Sequence, residues 1–337
     1  MTERLADREP HPDISVVIPV FNSAPWLDAC LSSVLGQSGV GLEVICVDDG
    51  STDASAAVLQ RFAETDSRVM LIRQDRGGQS LARNAGIKSA TGRYISFLDS
   101  DDYLCDDVLG DLVRRSDADR LDILLFDGVA FSDGVTDDTW TRYATYYQRK
   151  GRYRGVRRGA DLMSSMRRAG DYRPHVGLYL TRAGFMRDVQ SEFLPGIVHQ
   201  DNPFTFRLLL NAGRAGYDRR EAYARRIRPG STITTLTPDV SVRGYFLSYV
   251  AMRGDLDKHL LTSRAPAGVQ GVVNGVMDAA RKQFSQLTMP QREEFATRTV
   301  STDAASAYAL LASGMVTHRS RLRRRLPSRM TERWSRS

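Results

Sequence analysis

Lysine is almost missing from this 337-residue chain: of 47 basic residues only Lys88, Lys150, Lys258 and Lys282 are lysine. The bias points to a GC-rich coding sequence and carries no chemistry. Cysteine is scarce as well. Cys30, Cys46 and Cys105 show neither metal-type nor redox-type spacing, which excludes a disulfide framework and a cysteine-built zinc site. They read as small apolar residues of a reducing cytosol. No run of eighteen apolar residues occurs, so no transmembrane helix is expected. The opening Met1–Pro10 lacks the apolar stretch of a signal peptide, and the expected location is cytoplasmic. Neither Gly-x-Gly-x-x-Gly nor a P-loop is present, which disfavours a dinucleotide dehydrogenase and a P-loop kinase. Internal repeats and low-complexity linkers are also lacking.

What remains is an ordinary globular composition, 42% hydrophobic and 26% charged. The net charge of +7 suggests a nucleic-acid binder until it is located. Residues 319–336 hold eight arginines and one acid, Glu332, and without them basic and acidic residues balance at 39 each. The excess belongs to a tail, and no nucleic-acid partner is expected for the body. In that tail Leu322, Leu326, Met330 and Trp334 recur at spacing four between arginines, with Pro327 interrupting. The pattern suits a solvated tail, or a helix lying peripherally on the anionic inner face of a membrane.

From Ile14 the pattern alternates strand and helix. Strands are expected at Ile14–Val20, Leu42–Val47, Val69–Arg73 and Tyr94–Leu98, short apolar runs suited to burial on both faces of a parallel sheet. Helices are expected from Ser23/Pro25, through Phe62, and over about 80–90. The result is an α/β, doubly wound, mostly parallel sheet. A further strand is read at Asp122–Phe131, a polar and aromatic loop or hairpin over 132–158, and helices at 159–169 and Asp201–Ala212. Past Pro238 the chain reads as a helical region, with helices over 239–260, about 266–286 and 290–313. The expected division is 12–120, 121–237, a helical 238–316, and an arginine-rich 317–337.

Ligands of doubly wound sheets bind at the carboxyl ends of the strands, and here those ends carry Asn22, Asp48, Asp49, Asp99 and Asp101. Asp99-Ser100-Asp101 spaces two carboxylates by two residues, so both point to one side of an extended segment. Such oxygens can hold Mg²⁺ or Mn²⁺ against a diphosphate. Alternatively Asp101 or Asp102 caps a helix running from Tyr103. Asp48 or Asp49 could accept a bond from a nucleobase or ribose, while Asp53 or Thr52 caps the second helix. Gly77-Gly78 is either a turn or a place of close ligand approach.

Four segments occur in order and at matching spacing: Ile14–Asn22 (ISVVIPVFN), Val47–Asp53 (VDDGSTD), Ala82–Gly86 (ARNAG) and Gly92–Leu104 (GRYISFLDSDDYL). Together they resemble the nucleotide-sugar-binding half of the bacterial, inverting family 2 glycosyltransferases of GT-A fold. The likeness is close over about 12–110 and looser over about 170–235. It implies donor contacts from Pro19, Val20, Phe21, Asn22, Asp49, Gly78, Arg83, Asp99, Ser100 and Arg228. Val20 and Phe21 would line the base, Asp49 would bond its edge, and Asp99 would meet the ribose. Asp101, the last acid of the Asp-x-Asp motif, would ligate the metal, Mg²⁺ or Mn²⁺. Arg83 could equally brace its helix, and Arg228 lies in a segment that would cover the donor phosphates or form a solvated basic loop.

The resemblance also implies a general base at Asp201, in Gly196–Phe204, where Gln200 replaces the glutamate common in the family. Asp201 could in addition cap its helix, and His199 could touch the acceptor or be structural. The expected activity is inverting, metal-dependent transfer of a sugar from a nucleotide-sugar donor to a glycan or lipid-linked acceptor of the cell surface, as in cell-wall or polysaccharide biosynthesis. The Gln-x-x-Arg-Trp signature of processive synthases is absent, favouring single additions. The alternatives are a sugar-1-phosphate nucleotidyltransferase, whose glycine-rich, lysine-bearing amino-terminal loop is missing, and a degenerate nucleotide-sugar-binding or assembly protein.

Overall fold

The computed structural model describes residues 12–136, 138–299 and 311–312. The amino-terminal third runs β1 (Ile14–Val20), α1 (Ala24–Leu35), β2 (Leu42–Asp49), α2 (Ser55–Thr65), β3 (Val69–Gln74), α3 (Gln79–Ser89) and β4 (Tyr94–Phe97). The chain continues through β5 (Tyr103–Leu104), α4 (Leu109–Ala118), β6 (Ile123–Ser132), α5 (Asp138–Tyr143) and α6 (Gly159–Ala169). Then follow β7 (Tyr179–Arg182), α7 (Ala183–Asp188), α8 (Asp201–Asn211), β8 (Ala215–Ile227) and α9 (Thr232–Thr235). Three helices close the described chain: α10 (Pro238–Thr262), α11 (Ala267–Ser285) and α12 (Met289–Thr299).

The eight strands form one mixed sheet in the order β3-β2-β1-β4-β7-β6-β8-β5. β1 pairs in parallel with β2 on one side and β4 on the other, so the strand order reverses there. β7 enters antiparallel between β4 and β6, and β8 runs parallel to β6. Alternation along each strand divides the core. Ile14, Val16, Ile18 and Val20 face α1, where Leu27, Cys30, Leu31 and Val34 complete one cluster. Val17, with Ile45, Val47, Ile95 and Phe97, faces the other layer. That layer holds Ala82 of α3, Met163 of α6, Phe204 and Leu208 of α8, and Val269 and Val273 of α11. Because both faces are covered, all of β1 and β2 is buried, as near-continuous apolar strands require.

Three expectations need correction. Tyr103 starts no helix: Tyr103–Leu104 is a short strand against β8, so Asp101 and Asp102 cap nothing there. Within 132–158 a short helix, α5, takes the place of part of the expected loop or hairpin. β7 and β8 were not anticipated. β8 carries Asp218, Arg219, Arg220 and Glu221 at its middle, and it is a strand because long-range pairing with β6 outweighs that local polarity. The arginine-rich segment from 317, and most of 300–313, lie outside the described residues. No described helix is long and apolar enough to cross a membrane.

Candidate active site

The strand order reverses between β1 and β4, and most of the residues expected to contact a donor lie at or just after the carboxyl ends of β1, β2, β3, β4 and β8. Asn22 turns the chain out of β1 with φ 49°. Its Oδ1 accepts the Thr52 N–H at 2.8 Å, tying the ends of β1 and β2 together. The Arg76 guanidinium lies 3.9 Å from the centre of the Phe21 ring, a cation–π contact. Ser100 meets Ser23 through their hydroxyls at 2.7 Å, while the Ser23 hydroxyl also donates to the Phe21 carbonyl at 3.1 Å. Both oxygens of Asp49 serve the loop after β3: Oδ1 accepts from Gln74 Nε2 (2.7 Å) and Gly77 N (2.8 Å), and Oδ2 from Gly78 N (2.8 Å). The carboxylate therefore shapes the Gly77-Gly78 turn, where Gly78 takes φ 90° and opens α3, a conformation other residues adopt only under strain.

Beyond β4, aspartates and arginines alternate in space. Arg83 of α3, whose side chain is 2% exposed, donates from Nη2 to Asp99 Oδ1 at 2.7 Å and from Nη1 to Asp201 Oδ1 at 2.9 Å. One buried cation thus joins the end of β4 to the first residue of α8. Arg83 therefore braces α3 against the end of β4 and α8. Arg225 Nη1 lies 2.6 Å from both Asp99 Oδ2 and Asp102 Oδ2. Tyr223 donates its hydroxyl to Asp102, and the Arg226 backbone N–H reaches the same carboxylate at 2.7 Å. Burial opposes the charge of Asp99, yet Arg83 and Arg225 hold its carboxyl well below the usual range. Burial instead pushes the Asp201 carboxyl up, against the pull of Arg83. Arg228 grips Asp101 Oδ2 with Nε at 3.0 Å and Nη2 at 2.9 Å while its guanidinium lies over Trp26 at 3.9 Å.

Asp99, Asp102 and His175 bring ligand atoms within 4.8 Å of one another, the three-residue cluster with metal-like spacing among the described residues. Its cation is supplied by the protein, because Arg225 Nη1 already bridges the two carboxylates. His175 accepts the Gly177 N–H at Nδ1 (3.1 Å), which leaves the ring proton on Nε2, 4.0 Å from Asp99 Oδ2. Burial and then Arg225 hold the imidazole neutral, lowering its pKa to about 3. Asp101 is a different case. Among the described residues nothing is hydrogen-bonded to its Oδ1, so one carboxylate oxygen remains for a hard divalent cation completed by phosphate and water.

Asp201 opens α8 but caps nothing; the N-cap position is Gln200, and it too makes no side-chain cap. The Asp201 carboxylate turns to Arg83 and the Val176 N–H instead. Gln200 does not support the base directly. Its Nε2 donates to Gln79 Oε1 at 2.7 Å, and Gln79 Nε2 donates to Asp99 Oδ1 at 3.3 Å. The preceding segment is clamped by α10. His199, at φ 62°, stacks on Tyr245 with centroids 3.7 Å apart, and its carbonyl accepts the Ser248 hydroxyl at 3.2 Å. Gly244 permits this approach, since a Cβ there would lie 2.4 Å from the Val198 carbonyl oxygen. Burial holds His199 neutral as well, at about 4.

Asp99, Arg83, Gly78 and Asp201 line one open cleft of about 1150 Å³, extended by Tyr143, Tyr146, Tyr147, Tyr172 and Tyr245 and by α10 and α11. Asp101, Arg228 and the β1 end lie outside its lining. Sequence reasoning missed Asp102, His175, Tyr223 and Arg225. Tyr223 and Arg225, two apart, would have shared a face had β8 been recognised as a strand.

A family model described as glycosyl transferase family 2 matches residues 15–172. An uncharacterized glycosyltransferase of Escherichia coli (strain K12), YibD, is 31% identical over 210 residues, 62% of this chain and 60% of that protein. The chain therefore spans less than two thirds of that relative's length. Among solved structures, S. aureus TarS 1–349 in complex with UDP-GlcNAc aligns with a TM-score of 0.55 at 18% identity, over 90% of this chain and 91% of that one. Mannosyltransferase PcManGT from Pyrobaculum calidifontis, in complex with GDP-Man and Mn²⁺, aligns with a TM-score of 0.54 at 15% identity, over 91% and 87%. At such identities the likeness speaks for the fold.

Proposed function

Residues 15–172 belong to glycosyl transferase family 2 and the chain has a GT-A fold; on that premise we propose that it is an inverting, metal-dependent glycosyltransferase. It would move a sugar from a nucleotide-sugar donor to a hydroxyl of a cell-surface glycan or lipid-linked acceptor. The observation that carries the reading is Arg83, which holds Asp99 and Asp201 at 2.7 and 2.9 Å from one buried guanidinium. A donor-side acid and an acceptor-side acid then face the same cleft with the cation between them. UDP-GlcNAc in S. aureus TarS and GDP-Man with Mn²⁺ in PcManGT support the choice of donor class.

Asp201 accepts the proton of the acceptor hydroxyl as that oxygen attacks the anomeric carbon from the face opposite the leaving group. Raised by burial, its carboxyl is a stronger base than an exposed aspartate. Arg228 donates to the departing diphosphate, where charge develops, and Asn22, Phe21 and Ser100 line the nucleoside. Asp101 would hold Mg²⁺ or Mn²⁺, which when bound neutralises charge on the diphosphate. Arg225 and His175 hold Asp99 in place, the one as a fixed counter-charge and the other as a neutral neighbour. No covalent intermediate on the protein is required.

Three outcomes check this reading. Asp101→Ala should abolish metal-stimulated hydrolysis of the donor, measured as release of nucleoside diphosphate with and without Mn²⁺; retained stimulation removes Asp101 from the metal site. For the base, kcat/KM should fall as pH drops through the raised pKa of Asp201. The acid limb should therefore lie above the ordinary aspartate value of about 3.9, and a limb at or below that value would count against Asp201. The tail is proposed to hold the enzyme at an anionic membrane surface. Deleting 319–337 should then reduce co-sedimentation with anionic liposomes, and undiminished binding rejects the idea.

A further inference from the structure

The acceptor side of the cleft carries cations that the mechanism above leaves unused. Arg167 at the end of α6, Arg173 just beyond it and Arg243 on α10 all line the cleft. Their surroundings differ from those of the donor side. Arg83, Arg225 and Arg228 are each neutralised by an aspartate. The acceptor-side three are oriented by carbonyl oxygens instead. Arg167 Nε donates to the Gly271 carbonyl at 3.0 Å. Arg173 Nε donates to that of Tyr146 at 2.7 Å and Nη1 to that of Gly170 at 2.7 Å. Arg243 Nη1 donates to the Gly196 carbonyl at 2.7 Å. Among the described residues none of the three has a carboxylate at ion-pair distance, although Glu294 also lines the cleft and Asp239 lies one turn before Arg243 on α10.

A carbonyl fixes a guanidinium in space without cancelling its charge. Arg173 Nη2, Arg243 Nε and Nη2, and Arg167 Nη1 and Nη2 keep their protons for a ligand, in the forked geometry that suits phosphate oxygens. Arg173 is partly buried and lies 4.5 Å over the Tyr146 ring, so its charge is poorly shared with water. Tyr143, Tyr146 and Tyr245 line the same cleft, aromatic surface suited to a sugar or polyol chain. A neutral glycan would leave these cations without a counter-charge.

We propose that the acceptor bears phosphate, and that Arg173 and Arg243, with Arg167, hold that phosphate while the acceptor hydroxyl meets Asp201. The inference rests on the glycosyltransferase reading and adds the chemical class of its acceptor. The phosphate could belong to a phosphodiester chain or to a lipid diphosphate, and the test separates them.

Binding is measured by calorimetry with the donor half saturated by the nucleoside diphosphate the protein binds best, in Mn²⁺. One probe is a short glycerol-phosphate oligomer, the other a disaccharide on a short prenyl diphosphate; each is compared with a phosphate-free counterpart. At least one phosphorylated probe should bind tenfold or more tightly than its counterpart, and the probe that does so identifies the source of the phosphate. Arg173→Gln and Arg243→Gln should each weaken that probe about tenfold or more, the effect of losing a charge-assisted bond. Arg243 makes a single hydrogen bond at an exposed position, so its variant keeps the test valid if Arg173→Gln fails to fold. Equal affinity for phosphorylated and neutral probes, no binding of either phosphorylated probe, or affinity unmoved by Arg243→Gln overturns the inference. If no nucleoside diphosphate binds, the glycosyltransferase reading fails first.

Discussion

Asp201→Asn is expected to abolish sugar transfer, with kcat falling by about 10²–10⁴, while donor affinity stays within a few-fold of wild type. The substitution keeps the shape of the side chain and an oxygen that can still accept from Arg83 Nη1, now 2.9 Å away. It removes only basicity. Donor affinity should survive because Asn22, Asp99, Ser100 and Arg228 come from β1, the β4 end and the segment after β8, none of them on α8. Single-turnover transfer and nucleotide titration on the same preparation separate the two effects. Wild-type turnover in the variant would rule Asp201 out as the base, whatever the donor affinity.

Arg83→Leu should cost about 3–5 kcal/mol of folding stability, the usual consequence of removing one partner from a buried charge network. Asp99 retains Arg225 at 2.6 Å, so the loss falls chiefly on Asp201, whose ionic partner is Arg83. Without that cation, burial and the nearby Asp99 charge act on the Asp201 carboxyl against only the Val176 N–H and Arg225. Its pKa should rise further, and the acid limb of kcat/KM should move to higher pH with it. Arg83→Lys should fall between, because a single ammonium has no planar fork with which to reach both acids. Chemical denaturation and the pH profile test the two halves separately. Stability unchanged within about 0.5 kcal/mol, the range of an ordinary surface substitution, would mean that the guanidinium is not the link between the two sides of the cleft.

How much of this was legible in the sequence follows from the range of the interactions. β1 through β4 were readable because both faces of those strands are buried, and burial on both faces demands the unbroken apolar runs seen at Ile14–Val20 and Leu42–Val47. α3, α6, α8, α10 and α11 were readable from turn residues and helical spacing. β8 was not: Arg219, Arg220 and Glu221 interrupt any alternation, and pairing with β6, about ninety positions away, makes it a strand. α5 was hidden in the same way inside an aromatic, polar stretch.

The site divides along the same line. Aspartates at strand ends are local features, so Asp49, Asp99 and Asp101 could be named in advance. Their partners are not local. Arg225 meets Asp99 across 126 positions and Arg83 meets Asp201 across 118, and no spacing in the chain announces either pair. The reading of Asp49 as a base-edge contact gains a neighbour it did not have in the sequence, since both oxygens of that carboxylate also hold the loop at Gly77-Gly78. Gln200 was an open question for the same reason. Its partner proves to be Gln79, which carries the contact on to Asp99.

The central claim is the reaction itself, and product analysis tests it most directly. The protein is incubated with Mn²⁺ and a panel of UDP-, GDP-, dTDP- and CDP-linked sugars, and the released nucleotide is identified. The account predicts release of a nucleoside diphosphate from at least one donor, lost in Asp101→Ala. Release of nucleoside monophosphate or pyrophosphate, or no turnover of any donor by well-folded protein that binds nucleotide, would contradict it.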